Sequence, residues 1–440
     1  MHIKKMLNAD YLFSIIKNNF KAVPDWRKSN SKISIADSLM SAFAMFNLKD
    51  NSILQFEKRL QVETTKNNLK AIYQIENVPS DSRMREINDE VDPSYLSGSF
   101  KDVFRPLQRG KELNKFKFLG KYYLVLMDGT GYFTSDKIHC ENCLVKESKK
   151  TGIITYSHSM LGAVIAHPKM KEVIPLCPEP IIKQDGQKKN DCERNAGKRL
   201  LGKIRSDHPK LPMIIVEDAL ASNMPHINEL QKNNMSFILG VKPAGNKFIF
   251  EYVNEQVSNS DNVEDFTIID GNTTQRYRYI NNVPLNERNQ DFKVNFFEYW
   301  EESDKGKWKH FSWITDLEIN QNTIKRLVKA GRARWKIENE TFNTLKNQNY
   351  NFEHNYGHGS KNLSVNLALL MMLAFLVDQI QQLCCKYFQA ALEKEERKLY
   401  LWQKVREIFN VFALQSWQEL LEAIIYGYKT PKLEILNDSS

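Results

Sequence analysis

Three carboxylates in this chain stand where metal-assisted phosphate chemistry would need them. Asp128 closes the run 122–128 (YYLVLMD) and is followed by Gly129-Thr130, and Asp218 follows the run 212–217 (PMIIVE). Both runs are short, apolar and β-prone. Strand ends in an α/β sheet gather ligand-binding and catalytic groups, because the sheet is rigid while the adjoining loops stay open. Phosphodiester chemistry gains from divalent metal that neutralises charge on the attacking and leaving oxygens, and two ions about 3.5–4 Å apart, bridged by carboxylates, form such a clamp. Magnesium takes hard oxygen ligands and keeps several waters, so two or three carboxylates suffice. Taken singly, either aspartate also reads as a turn or cap residue.

The third carboxylate lies in 332–340 (RARWKIENE). Arg334 and Glu338 are four residues apart and share a face of a helix. Many such pairs are solvated salt bridges. Here the surroundings argue for more: between Lys325 and Lys346 the chain carries seven Lys or Arg against two Glu, a strip suited to a phosphate backbone.

The segments MDGTGYF, VEDALAS and RWKIENETFNTLK occur in this order. Together they resemble the bacterial insertion-sequence DDE transposases of the Y-R-E-K group over roughly residues 120–360. The resemblance implies an RNase H-like core with Asp128 on the first strand, Asp218 after the fourth and Glu338 on a later helix. It further implies Mg²⁺ (two ions, with Mn²⁺ as a substitute) held by those three residues, a helical DNA-binding region before the core, and a homodimer acting on two transposon ends. The group's pattern is Tyr, two residues, Arg, three residues, Glu, six residues, Lys. Arg334 and Glu338 fit it, whereas Gly331 stands at the Tyr position and Leu345 at the Lys position, with Lys346 one residue late. On a regular helix Lys346 lies about 80° around from Glu338. Glu340 is the rival third ligand. Glu338 is preferred because RWKIE matches the family run and Arg334 faces it.

The expected activity is cut-and-paste transposition. One strand is hydrolysed at the transposon end, and the freed 3′-hydroxyl then attacks DNA at the end or in the target, with Arg334 and Lys346 contacting the phosphates. The alternatives are an RNase H-fold nuclease without strand transfer and a non-catalytic DNA-binding descendant. Three converging negative charges argue against the last. Phe311 and Trp313 (HFSWITD) are candidates to stack on a flipped base, a task that suits aromatics, although a strand aromatic more often packs in the core. His354 and His358 (EHNYGHG) approach the site or form a structural turn. Cys140-Glu141-Asn142-Cys143 offers half a zinc site with His158, Cys177 or Cys192. Zinc motifs normally show a second close pair, none is visible, and zinc is left out of the expected site.

Positioning these groups requires an α/β, mixed-sheet core interrupted by a β-rich insertion and flanked by helical regions. The expected divisions are 1–118, a helical DNA-binding region containing the basic run 101–117; 119–241, the first part of the core; 242–312, an antiparallel β-rich insertion; 313–361, the rest of the core with one long helix over 322–347; and 362–440, C-terminal helices. The net charge of +9 favours a polyanionic partner such as double-stranded DNA. The longest apolar run, 367–377, is shorter than the about 20 residues a membrane span needs, and is read as a buried helix. Six cysteines without an export signal describe no disulfide framework, so a bacterial cytoplasm is expected.

Overall fold

A computed structural model describes residues 7–428 apart from 28–30, 184–191, 260–261, 272 and 303–305. Strands β1 (Tyr122–Ser135), β2 (Ile154–Ala166), β3 (Glu179–Ile181), β4 (Met213–Glu217) and β5 (Ser236–Gly240) form the centre of the sheet. In space they run β3–β2–β1–β4–β5. The pairs β1/β2 and β2/β3 are antiparallel, and β1/β4 and β4/β5 are parallel. A first carboxylate on the first strand and a second just after the fourth is the arrangement of the expected RNase H-like, mixed-sheet core. The central strands read as unbroken apolar runs because helices cover both faces.

Residues 242–312 do not form a separate β unit. After the helix Lys247–Asn259, which the sequence reading did not anticipate, come β6 (Glu264–Asp270), β7 (Thr273–Pro284), β8 (Lys293–Glu302) and β9 (Trp308–Thr315). They pair in succession, and β9 joins β5 antiparallel with Trp313 opposite Gly240. The insertion therefore extends the central sheet. Its alternating aromatics Tyr277, Phe297 and Tyr299 are buried, and polar residues alternate with them.

The expected single helix over 322–347 is broken. An α-helix covers Ile324–Arg332, a π-helical turn covers Ile337–Phe342, and a last α-turn covers Asn343–Asn347. Gly331 lies where the first helix ends. A Cβ there would stand 2.5 Å from Cε2 of Trp313, so the indole packs directly on the helix backbone. π-Turns gather at functional sites, and this one carries Glu338.

The helical regions at the two ends share one core. Leu363–Cys384 is long and apolar enough to cross a membrane by length and composition, yet 94% of its most apolar window is buried in the fold. The helices Ile35–Asn47, Asp81–Glu90 and Ser97–Arg109 pack on it. Asp89 caps its start, accepting from the backbone N–H groups of Ser360, Asn362 and Leu363 at 2.8–2.9 Å. Deeper in, Lys49 Nζ pairs with Asp378 at 2.6 Å and Asn47 Nδ2 donates to Asp378 at 3.2 Å, while the Tyr350 hydroxyl donates to the same carboxylate. The N-terminal region, the loop after the Glu338 helix and the C-terminal region are thus tied through one buried carboxylate.

Candidate active site

Strands β1 and β4 run parallel as far as Leu126 opposite Val216. β4 ends at Glu217, so β1 loses a neighbour on that side just as it reaches Asp128. The continuous buried run of β1 also ends there: 123–127 are buried and Asp128 is half-buried. Asp128 is therefore inside a long strand, not at its end as the sequence suggested, but it sits where that strand first meets open space. Asp128, Asp218 and Gly129 line a common cavity of about 770 Å³.

The other edge of β1 brings in the third carboxylate. Asp128 lies opposite Gly162 on β2. A Cβ on Gly162 would fall 2.9 Å from Cζ of Phe342 and 3.6 Å from Cδ1 of Ile337, so the bare backbone lets the π-turn rest on the sheet. With Ile337 and Phe342 buried beneath it, Glu338 emerges beside Asp128. Arg334 joins the two: Nη1 donates to Asp128 Oδ2 at 2.8 Å and Nη2 meets Glu338 Oε1 at 2.7 Å. The guanidinium is largely shielded, with 16% of the side chain exposed, which strengthens both contacts.

Burial raises the Asp128 carboxyl most; the Arg334 charge opposes this, while the Glu338 hydrogen bond and charge add to it, and the result is about 6 against an ordinary 3.8. A fourth carboxylate, missed in the sequence, stands across the cavity. Glu193 opens the helix Glu193–Asp207, and a Cβ on Gly129 would lie 2.3 Å from its Oε1. Its carboxyl is raised by partial burial and by the charge of Asp218. Asp218 itself accepts from the Leu220 N–H at 2.9 Å. No sequence motif marks Glu193, because the first residue of its helix and Gly129 of β1 meet only in the fold. Arg194 and Lys198, on the same helix, line the cavity and supply positive charge at its rim. Beside them His226 Nε2 meets Glu217 at 2.6 Å; burial works against the charged imidazole, but Glu217 outweighs it and raises the group.

Other expected site residues lie elsewhere or are otherwise engaged. Lys346 pairs with Glu353 at 2.8 Å. Glu340 is close enough to Lys398 to act on its charge. Trp313 is buried, stacked between Phe297 and Phe311 at centroid distances of 5.1 and 5.9 Å. Packed so, its rings offer no face to a base, a correction to the sequence expectation that follows from its close seat on Gly331. Phe311 is half-buried under the Arg332 guanidinium, 5.2 Å from its ring. Trp335, unremarked in the sequence, is half exposed beside the site, with Arg334 5.1 Å from its ring. His354 is exposed and His358 is buried. Of the partners offered for Cys140 and Cys143, His158 does converge on them, and His358 joins it in place of Cys177 or Cys192.

No curated protein sequence matches this chain. Among solved structures, a cryo-EM structure of the piggyBac transposase synaptic complex with hairpin DNA is similar at 12% identity, covering 98% of this chain and 82% of that one with a TM-score of 0.39. Residues 166–376 match the family described as a transposase DDE domain, a stretch that holds Asp218 and Glu338 and begins after Asp128. That match supports a transposase of the DDE type.

Proposed function

We propose that this protein is a cut-and-paste DNA transposase that cleaves one strand at each transposon end and joins the 3′-hydroxyl to target DNA. The observation that carries the reading is the place of Asp128, which shares an open cleft with Asp218 on one side and is joined through Arg334 to Glu338 of the π-turn on the other. Their donors are hard oxygens, and Asp128 and Glu193 are raised by burial and by neighbouring negative charge, so the cleft has a use for added positive charge. Asp128, Asp218 and Glu338 fit Mg²⁺, with Glu193 at the edge of the set. When bound, Mg²⁺ supplies charge neutralisation on the attacking and leaving oxygens. Arg334 holds Asp128 and Glu338 in register, a positioning role rather than the phosphate contact first expected of it. Arg194 and Lys198 bind the phosphate backbone at the rim, and Phe311 is the better placed of the two candidate stacking aromatics. A homodimer would present two such clefts to the two ends of one element, in a bacterial cytoplasm.

The test uses full-length protein, DNA carrying the element's own ends, a plasmid target, and Mg²⁺ or Mn²⁺. Covalent joining of 3′ ends to the plasmid is expected. Ends that are cut but never joined, across several targets and both metals, would identify a nuclease on the same fold instead.

A further inference from the structure

Behind the carboxylate cleft, four buried side chains from three distant segments turn their metal-binding atoms toward a common point. Cys140 and Cys143 lie in the excursion that follows β1, His158 is on β2, and His358 is in the loop after the Glu338 helix. The sulfurs are 3.8 Å apart, Cys140 Sγ is 3.2 Å from His158 Nε2, and Cys143 Sγ is 3.5 Å from His158 Nε2 and 3.2 Å from His358 Nε2. All four atoms fall within 4.8 Å of one another. A tetrahedral zinc with Zn–S near 2.3 Å and Zn–N near 2.0–2.1 Å places two sulfurs about 3.8 Å apart and sulfur and nitrogen about 3.6 Å apart. The spacings here approach those edges, with the sulfur–nitrogen pairs slightly contracted. A disulfide would need the sulfurs at about 2.05 Å and would leave both imidazoles unexplained.

The surroundings point the same way. His158 and His358 are buried, and neither Nδ1 has a hydrogen-bond partner, so each ring's polar contacts run through Nε2 to sulfur. A thiol is a weak partner for a buried imidazole, whereas a cation shared by two thiols and two imidazoles satisfies all four. Tyr132 stacks on His158 at 5.8 Å and Phe133 packs at a tilt against His358 at 4.3 Å, which keeps the cluster dry. The Glu141 N–H donates to the Ser360 carbonyl at 3.0 Å and Asn142 Nδ2 to the Lys361 carbonyl at 2.8 Å, so the Cys loop is already held against the His358 loop.

We infer that Cys140, Cys143, His158 and His358 form a structural zinc site. The mixed sulfur–nitrogen set suits zinc, and four protein ligands leave no open position for chemistry. Its work is mechanical. One ion would clamp the excursion after the Asp128 strand, the strand opposite it, and the loop that leaves the Glu338 turn, fixing the two sides of the carboxylate cleft relative to one another. The CxxC carries only half the signal because its two partners lie 15 and 215 residues beyond Cys143.

Full-length protein, purified under reducing conditions without chelator, should contain equimolar zinc by elemental analysis. Cys143→Ser and His358→Gln should lose it, whereas Cys192→Ser and the triad variant Asp128→Asn should keep it. Replacement by Co²⁺ should give the intense visible bands of a tetrahedral thiolate site, a readout on the unmutated protein that holds even where a ligand variant fails to fold. Folded wild-type protein that takes up no zinc from an equimolar solution would overturn the inference. So would full zinc retention by both ligand variants, or a weak octahedral cobalt spectrum.

Discussion

Asp128 experiences three neighbours at once, and its chemistry follows from their balance. Burial and Glu338 favour the neutral acid, and Arg334 favours the carboxylate. Asp128→Asn, Asp218→Asn and Glu338→Gln should each lower metal-dependent cleavage about 1000-fold or more while leaving DNA binding largely intact, since each removes one charge at nearly constant size. Glu340→Gln should cut normally, because its neighbour is Lys398 and not the cluster; a dead Glu340→Gln beside an active Glu338→Gln would reverse the ligand assignment. The raised Asp128 carboxyl also carries a sign. Between pH 3.8 and about 6 the folded protein holds a proton that the unfolded chain has released, so this group's contribution to stability falls as pH rises through that window and is level above it. Metal-free wild type should therefore lose stability over that range relative to Asp128→Asn. Removing the neighbouring charge in Glu338→Gln should move the Asp128 carboxyl resonance, followed by NMR, toward its ordinary titration range; no movement would mean that Glu338 does not act on it.

At the scale of elements, the break in the Glu338 helix follows from packing. Gly331 stands where the Y-R-E-K pattern has Tyr, and the Trp313 indole from β9 fills the space over it. Placing Tyr there should accordingly harm this protein. Gly331→Tyr is expected to cost about 1–3 kcal/mol through overpacking, whereas Gly331→Tyr combined with Trp313→Ala should recover part of the loss. Thermal unfolding of the two variants is the measurement, and additive losses in the double variant would show that the two positions do not compete for the same volume. The π-turn also changes the angular bookkeeping for Lys346, since a regular-helix count no longer applies across Ile337–Phe342. Its partner Glu353 lies in the following loop.

In the whole molecule, the two helical ends cannot be separated. Lys49 and Asp378 are buried together, and desolvation brings the Lys49 ammonium down to about 8 despite its partner. Asp378→Leu alone should destabilise the protein by about 3–5 kcal/mol because it strands a buried cation, and Lys49→Met in the same chain should restore much of that. Equal instability of single and double variants, read by denaturant unfolding, would argue against the pairing as the cause. For the same reason removal of residues 1–100 would strip helices from Leu363–Cys384 and expose an apolar surface, so recognition of DNA ends is better probed by charge reversal at Arg194 and Lys198.

What the sequence determined by itself was local: apolar runs ending in Asp128 and Asp218, Arg334 and Glu338 one helical turn apart, the aromatic alternation of the β-rich insertion, and an apolar run, 367–377, too short to span a membrane and so read as a buried helix. Each is readable because its cause is a spacing of two to four residues. The tertiary structure decided what depends on contacts between distant segments. It merged the insertion into the central sheet, buried Trp313 against Gly331, and brought Glu193 to the Asp218 side of the cleft. It likewise gathered His158 and His358 around a CxxC that looked incomplete. Long-range packing leaves no period in the chain, because either partner of such a contact is an ordinary residue until the fold supplies the other.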